Sequence, residues 1–493
     1  MKIRFILIFL VCLLHSTDQL FGQSFLPMHR DVWQEVERSK TNQRTQVHLA
    51  VKPFFKNEVP DSLMRFFGKD TAKYYYDLTA ALFRDHTAQI KREDYRLALD
   101  VLYDFSSGRD FSERSDRNEN RFVFTNMRGL MASGDLGKKF TFYTGFYEMQ
   151  RVTPYYQSVY IDSVGVFPGL GRVKDYRQNG YDHSMSFAGM RYQVLKNWKL
   201  DLVYDKQFVG FGYRSLLWSD ASFAFPSLRS EWSFMDGKLK YFTSYSALQS
   251  LERLPRRDVP ESLFKRKTAS FNYLSFKPSK RLELGLFEAT MWRRVDSLQT
   301  YNLPWNAYVP LIGASVATEG WQGANNTYAG INLRFEPFDG IVLYSQWLVN
   351  NTERESQGYQ MGVKLFDAVF KGLDFQLEFN QLGSEAYAGS SMLQSVSHFN
   401  QPLGHPSFAT NQEWIGLLDY RFRRLIFRSR IVMWNTHLSS DLQRHMELEA
   451  GYFVNPKTNS QISLSVIHRD LGYTEWIYFI SIRTNLHNRY FDF

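Results

Sequence analysis

The sequence predicts an all-β fold, a closed antiparallel transmembrane β-barrel of about eighteen strands with a small N-terminal helical segment. Three observations predict it. First, Phe 42, Tyr 29 and Trp 11 make 17% of the 493 residues aromatic, yet the mean hydropathy is only -0.38. That combination suits a wall whose alternate residues face lipid and water, with aromatic girdles at both interfaces. Second, many segments alternate apolar and polar residues at strand spacing. Third, the connections segregate by parity, short after even-numbered candidate strands and often long after odd-numbered ones. Short periplasmic turns and long extracellular loops have this arrangement, which a soluble all-β chain has no reason to adopt.

Residues 1–23 read as a secretory signal, with Lys2 and Arg4 ahead of an apolar run from Phe5 to Leu14 and a polar stretch reaching Gly22 and Gln23. The single cysteine, Cys12, lies inside that run without the small residue a lipobox needs before it. The mature chain is therefore expected to have no disulfide, thiolate nucleophile or cysteine metal site. From 24 to 91 the pattern changes. His29 to Arg38, 61–67 and 70–83 read as short amphipathic helices, and Val47, Leu49 and Val51 alternate like a short strand. We expect a small periplasmic or plug-like segment here and the barrel over 92–493. No later window is apolar for long enough to be a spanning helix, so strands must make any crossing.

Candidate strands begin near Tyr95, Arg121, Lys139, Ser184, Trp198, Leu228, Leu239, Lys267, Arg281, Thr327, Gly340, Gln357, Gly372, Gln412, Leu425, His445, Ser460 and Thr474. Alternation is clean in 373–380, where Leu373, Phe375, Leu377 and Phe379 interleave with Asp374, Gln376, Glu378 and Asn380. It slips phase at Phe287 and Glu288. Turns after even strands fall at 134–138, 196–197, 236–237, 278–280, 337–339, 367–371, 423–424 and 456–459. Long loops fall at 106–120, 151–182, 206–227, 250–266, 295–326 and 383–411. The stretch 474–493 ends on Tyr490, Phe491 and Phe493, the form in which such a barrel presents its closing strand; both chain ends are then expected in the periplasm.

The most distinctive loop is 205–228, in which Gly210 and Gly212 bracket Phe211 and lead through Tyr213, Arg214 and Ser215 to Trp218, Asp220, Phe223, Phe225 and Pro226. In this loop, in 121–150 with its turn from Gly134 to Lys139, and in 485–493, the chain resembles the Wzi-like capsule-assembly proteins, in the Bacteroidetes branch that includes the gliding-motility protein RemB. The resemblance covers most of 90–493 and is strongest in this loop. It implies an outer-membrane barrel of about eighteen strands with a small periplasmic helical part. It also implies a non-enzymatic surface protein that binds or organises exopolysaccharide or capsule, linked to gliding and surface adhesion.

The chemistry of the loops agrees with glycan binding, because aromatic faces stack on sugar rings while Arg and Asp hydrogen-bond hydroxyls and carboxylates. Candidate glycan-binding residues are Tyr213, Arg214, Trp218 and Asp220, with Tyr155, Tyr156 and Arg172 in 151–182. The competing reading of 205–228 is structural, an apolar loop folded into the barrel mouth and tied there by Arg214 and Asp220. Loop 295–326, with Tyr301, Trp305, Tyr308 and Trp321, is a further aromatic candidate. Arg253, Arg256, Arg257, Lys265, Arg266 and Lys267 suit lipopolysaccharide phosphates. The partners expected are outer-membrane lipid and lipopolysaccharide, surface polysaccharide, and another outer-membrane or periplasmic protein docked on the N-terminal segment. A net charge of +9 is spread thinly, without a basic arm or module for nucleic acid. His398 and His405 share a loop without zinc spacing, no nucleophile elbow or phosphate loop is present, and no cofactor or catalytic residue is assigned. A porin-type channel is the alternative, since its wall has the same pattern, and a structural subunit of an export or motility complex is a third reading.

Overall fold

In the first barrel strand, β1 (Tyr95–Ser112), alternation turns Leu99, Val101, Phe105 and Phe111 outward, where they are exposed, and turns Asp100, Asp104, Ser106 and Asp110 inward, where they are buried. A strand that shows lipid one face and a polar interior the other can only be stable in a closed sheet, where no edge is left unpaired. The computed structural model, which describes residues 26–43, 46–55, 59, 74–112, 121–177, 179–254, 264–296, 299–321, 323, 325–351 and 356–493, has that form. The stretch expected to be a signal, with Cys12, and the helix expected over 61–67 lie outside the described residues.

The wall continues through β2 (Arg121–Leu136), β3 (Phe140–Val152), β4 (Gly180–Leu195), β5 (Trp198–Asp205) and β6 (Phe225–Phe234). Next come β7 (Leu239–Arg253), β8 (Phe264–Ser279), β9 (Leu282–Val295), β10 (Asn326–Phe335), β11 (Ile341–Asn350) and β12 (Gln357–Leu365). It is completed by β13 (Leu373–Leu382), β14 (Thr410–Phe422), β15 (Leu425–Thr436), β16 (Gln443–Asn455), β17 (Ser460–Asp470) and β18 (Thr474–Thr484). Each strand pairs antiparallel with the next, and β18 closes on β1 from Glu475 opposite Ser112 to Arg483 opposite Asp104. The strand count and the parity of the connections are those the sequence predicts. Several starts coincide, and the fourth, expected at Ser184, begins at Gly180.

Aromatic side chains mark both rims. At the short-turn end Trp198 stacks on Trp232 at 4.7 Å and 10°, and at the long-loop end Phe111 meets Tyr478 edge-on at 5.9 Å. Such rings sit where hydrocarbon gives way to water.

One expectation is overturned at β18. The closing strand ends at Thr484, and 485–493 do not extend it. Asn485 turns inward, its N–H donating to Asn459 O at 3.0 Å while Asn459 Nδ2 donates to Asn485 O at 2.9 Å. The segment then climbs the lumen until Phe493 packs on Tyr160 of α3, named below, at 4.7 Å. Tyr490, Phe491 and Phe493 are therefore interior rings, and residue 493 lies beneath the extracellular loops, not in the periplasm. The outward, even-numbered set of Trp476, Tyr478 and Ile480 would continue at Thr484, Leu486 and Asn488, and two polar residues of those three are the local reason that strand spacing stops there.

The helices are few: α1 (Arg30–Gln43), α2 (Asp77–Phe83) and α3 (Tyr155–Val164) are the longest described. α1 lies across the short-turn end of the lumen. α2 sits at the rim, where Asn455 Nδ2 donates to Ala81 O and Arg424 Nη2 to Phe83 O, both at 3.0 Å. α3 covers the opposite end.

Candidate functional site

Three segments distant in sequence meet inside the wall: α1 with residues 46–55, the β5–β6 loop at 206–224, and residues 485–493. Their backbones join directly. Val51–Lys52 pairs antiparallel with Phe208–Val209, Gly210 N–H donates to Ala50 O at 2.9 Å, and Asn488 N–H donates to Met28 O at 3.0 Å. Arg30 N–H returns a 2.7 Å bond to Asn488 Oδ1.

Apolar contact seals the contact with the wall. Trp218 is fully buried and stacks on Phe271 of β8 at 5.2 Å, while Tyr328 and Tyr387 donate their hydroxyls to Leu217 O and Leu216 O. Gly212 permits the close approach. A Cβ there would lie 2.5 Å from Glu378 Oε2 and 2.7 Å from Arg214 O. Without it, the next two backbone N–H groups reach the Glu378 carboxylate of β13, from Tyr213 at 2.6 Å and from Arg214 at 3.0 Å.

Arg214 is the electrostatic centre. Its guanidinium donates to Glu413 of β14 at 2.9 Å and to Asp492 Oδ1 at 3.0 Å, and its face lies over Tyr213 and Tyr490. Asp492 also accepts from the Tyr213 hydroxyl at 2.7 Å and from Arg430 of β15 at 3.3 Å. Burial pushes the Asp492 carboxyl up, and the Arg214 and Arg430 guanidiniums outweigh it, holding the group well below the usual carboxylate range. Asp220 accepts from Tyr490 Oη at 2.7 Å and Asn488 Nδ2 at 3.0 Å. Burial, opposed by Lys206, raises its carboxyl.

At the short-turn end α1 is bound by charge. Glu37 accepts from Arg334 of β10 at 3.1 Å and Lys364 of β12 at 2.6 Å, Asp31 from Arg428 of β15 at 2.8 Å, and Lys40 pairs with Glu336. Buried pairs of this kind are costly to break one-sidedly, which makes them effective at fixing one position for α1. A cavity of about 120 Å³ remains beside the plug against β14 to β18, lined by Arg428, Arg430, Glu447, Glu449 and Arg483 among others. It has room for a few waters.

This places the sequence-predicted residues. Tyr213, Arg214, Trp218 and Asp220 are buried in the plug, where the polar groups of Tyr213, Arg214 and Asp220 hold protein partners, the arrangement the structural reading of these four residues expects. Tyr156 is also buried, under the Arg469 guanidinium at 3.6 Å. Tyr155 is half-buried, with its N–H bonded to Asp110 at 2.7 Å, and Arg172 is exposed. Lys267 does not face phosphates either. It is buried, and its Nζ donates to Ser395 O at 2.7 Å and Ser397 Oγ at 3.0 Å, tying loop 383–409 inward. His405 Nε2 lies 2.8 Å from Glu413, as part of the Arg214 network.

What is open is the top. Arg172, Lys174 and Arg177 are exposed in the β3–β4 loop. Phe264 orients two of the surrounding cations, with Arg172 at 5.0 Å and Arg253 at 5.2 Å from its ring, and Arg177 lies 5.1 Å from Tyr176. Sequence reasoning missed Glu378, Glu413 and Asp492 as the anchors of the plug. The signal was present for Glu378, an acid on the inward set of a clean strand, and absent for Asp492, which sits in an aromatic run.

No protein-family model matches the chain, and no curated protein matches it. Among solved structures it is similar to Wzi, an outer membrane protein involved in group 1 capsule assembly in Escherichia coli and described as a carbohydrate-binding β-barrel. The likeness has a TM-score of 0.58 at 13% identity, covering 94% of this chain and 100% of that one. A BenF-like porin from Pseudomonas fluorescens Pf-5 gives 0.46 at 14% identity over 79% of this chain and 98% of that one, and OccK8 of Pseudomonas aeruginosa gives 0.44 at 8% over the same shares. With its closed wall, apolar outer belt and this likeness of fold, the chain is an outer-membrane β-barrel.

Proposed function

We propose that this barrel is a non-enzymatic surface protein whose extracellular face binds or organises an exopolysaccharide, in capsule attachment or in adhesion of the gliding kind. One observation carries the reading: the lumen is filled by three interlocked segments while Arg172, Lys174 and Arg177 stand exposed above it. A conduit has no use for such a plug, and a glycan receptor needs no bore. Guanidinium groups pair with carboxylates bidentately, and the half-buried ring of Tyr176 lies beside Arg177. The carbohydrate binding ascribed to Wzi supports the same reading.

The test is binding of the purified full-length barrel to surface polysaccharide from its own host, at low and high salt, beside the triple variant Arg172→Ala, Lys174→Ala, Arg177→Ala. Saturable binding that salt weakens and the triple variant loses supports the proposal. Equal binding by both proteins moves the glycan site elsewhere. No binding, together with steady ion conductance in a planar bilayer, replaces the proposal with the porin-type reading.

A further inference from the structure

Not all of loop 296–325 stands above the membrane. Ile312 N–H donates to the Tyr241 hydroxyl at 3.1 Å, Gly313 N–H to Glu288 Oε2 at 2.5 Å, and the Tyr245 hydroxyl donates to Tyr308 O at 2.7 Å. Tyr241 and Tyr245 belong to β7 and Glu288 to β9, and all three face outward, because their neighbours Phe242, Ser244 and Phe287 face the lumen core. Tyr241 is close to the short-turn end of β7, and Glu288 is midway along β9. The loop therefore descends the outer wall to the middle of the bilayer.

The wall beneath it departs from the rest of the belt. Register places Thr243, Asn272 and Glu288 side by side across β7, β8 and β9, with Ser270 and Thr290 adjacent in the next outward row. All five are buried despite facing outward. A carboxylate and four other polar side chains at this depth, bare to hydrocarbon, would be costly.

The loop is built to lie there. Residues 297–318 contain no Asp, Glu, Lys or Arg. Pro304 and Pro310 have no N–H to satisfy, and a 3-10 turn (Trp305–Tyr308) and a short helix (Ala314–Glu319) bond much of the remaining backbone internally. Two N–H groups left over are the ones taken by Tyr241 and Glu288. Irregular backbone is tolerated at membrane depth when protein satisfies it in this way. Its outer side shows Trp305 at 72%, Tyr308 at 60% and Leu311 at 60% exposure, continuous with Leu284, Leu286 and Ile331 of the lipid-facing belt.

We propose that residues 301–318 form a flap embedded in the outer leaflet, which seals a polar window in the wall of β7 to β9 and presents Trp305, Tyr308 and Leu311 to lipid acyl chains. The flap replaces water as the partner of the window and restores an apolar surface to that side of the barrel.

The sequence has a single cysteine, Cys12, and Cys12→Ser gives a clean background for labelling. Full-length barrel in phosphatidylcholine and lipopolysaccharide vesicles would carry a nitroxide at Leu311→Cys or, separately, Tyr308→Cys. Leu286→Cys serves as a belt control and Lys174→Cys as an aqueous one. Both flap sites should relax strongly with oxygen and weakly with a water-soluble nickel chelate, matching Leu286→Cys. Relaxation by nickel at the level of Lys174→Cys would overturn the proposal by placing the flap in water. Protection from both agents would overturn it by placing a second copy or another protein on that face.

Discussion

Arg214 and Asp492 are joined twice, through Nη1 to Oδ1 at 3.0 Å and through Nη2 to the Asp492 backbone oxygen at 3.1 Å. The contact links a loop between two wall strands to the segment that follows the last one. Replacing either residue alone by Ala leaves the other charge buried with only its second partner, Glu413 for Arg214 and Arg430 for Asp492, a loss of up to about 3 to 5 kcal/mol. Urea unfolding in detergent should show each single variant much less stable than wild type and the double variant less affected than the sum. Additive losses would mean that the pair is not coupled.

Gly212→Val should loosen the plug without touching the wall. The added atoms meet Glu378 and the Arg214 carbonyl, so the loop must back away from β13. The strain is about 1 to 3 kcal/mol. Wild-type protein is expected to be silent in a planar bilayer and the variant to show flickering conductance.

Acid should act through Asp492. Its carboxyl is held below the ordinary value of 3.8 in the folded chain, so its contribution is complete above that pH and is lost as pH falls further toward its folded value. Thermal midpoints measured from pH 6 down to pH ~2 should fall more steeply for wild type than for Asp492→Asn once the pH is below about 4. Parallel curves would exclude Asp492 as the acid-sensitive group.

Lys267→Met removes the ammonium that holds Ser395 O and Ser397 Oγ. Ser395 O keeps the Ser397 N–H and Ser397 Oγ keeps Ser395 Oγ, so the loss is that of the charge-assisted bonds, about 1.5 to 3 kcal/mol, and loop 383–409 should loosen. Protease added to whole cells is expected to cut the variant in this loop at least several-fold faster than wild type, with the barrel core intact.

Much of the wall was legible in the sequence because its rule is local. In β13, Leu373 to Asn380 already shows which residues face lipid and which face inward, and turns such as 423–424 and 456–459 lie where the alternation breaks. The interior was not legible, because its partners are set by the closure of the barrel and not by spacing. Arg214 gives no hint that Glu413 will be beside it, and a loop rich in rings reads the same whether it meets sugar or Phe271. Glu288 shows both sides of the lesson. The phase slip at Phe287 and Glu288 is visible, yet its cause, a loop lying against the outer wall, depends on a residue 25 positions downstream.

Arg30 and Asn488 are 458 positions apart, so the bond between them ties together segments on opposite sides of the whole barrel sequence. Until residues 485–493 arrive, α1 has apolar Val32, Trp33 and Val36 and no finished lumen in which to bury them. Contacts of such long range form late. Before the barrel closes, those three side chains have no lumen to enter, so the N-terminal segment is expected to be the part of the unfolded chain most dependent on being kept from aggregation.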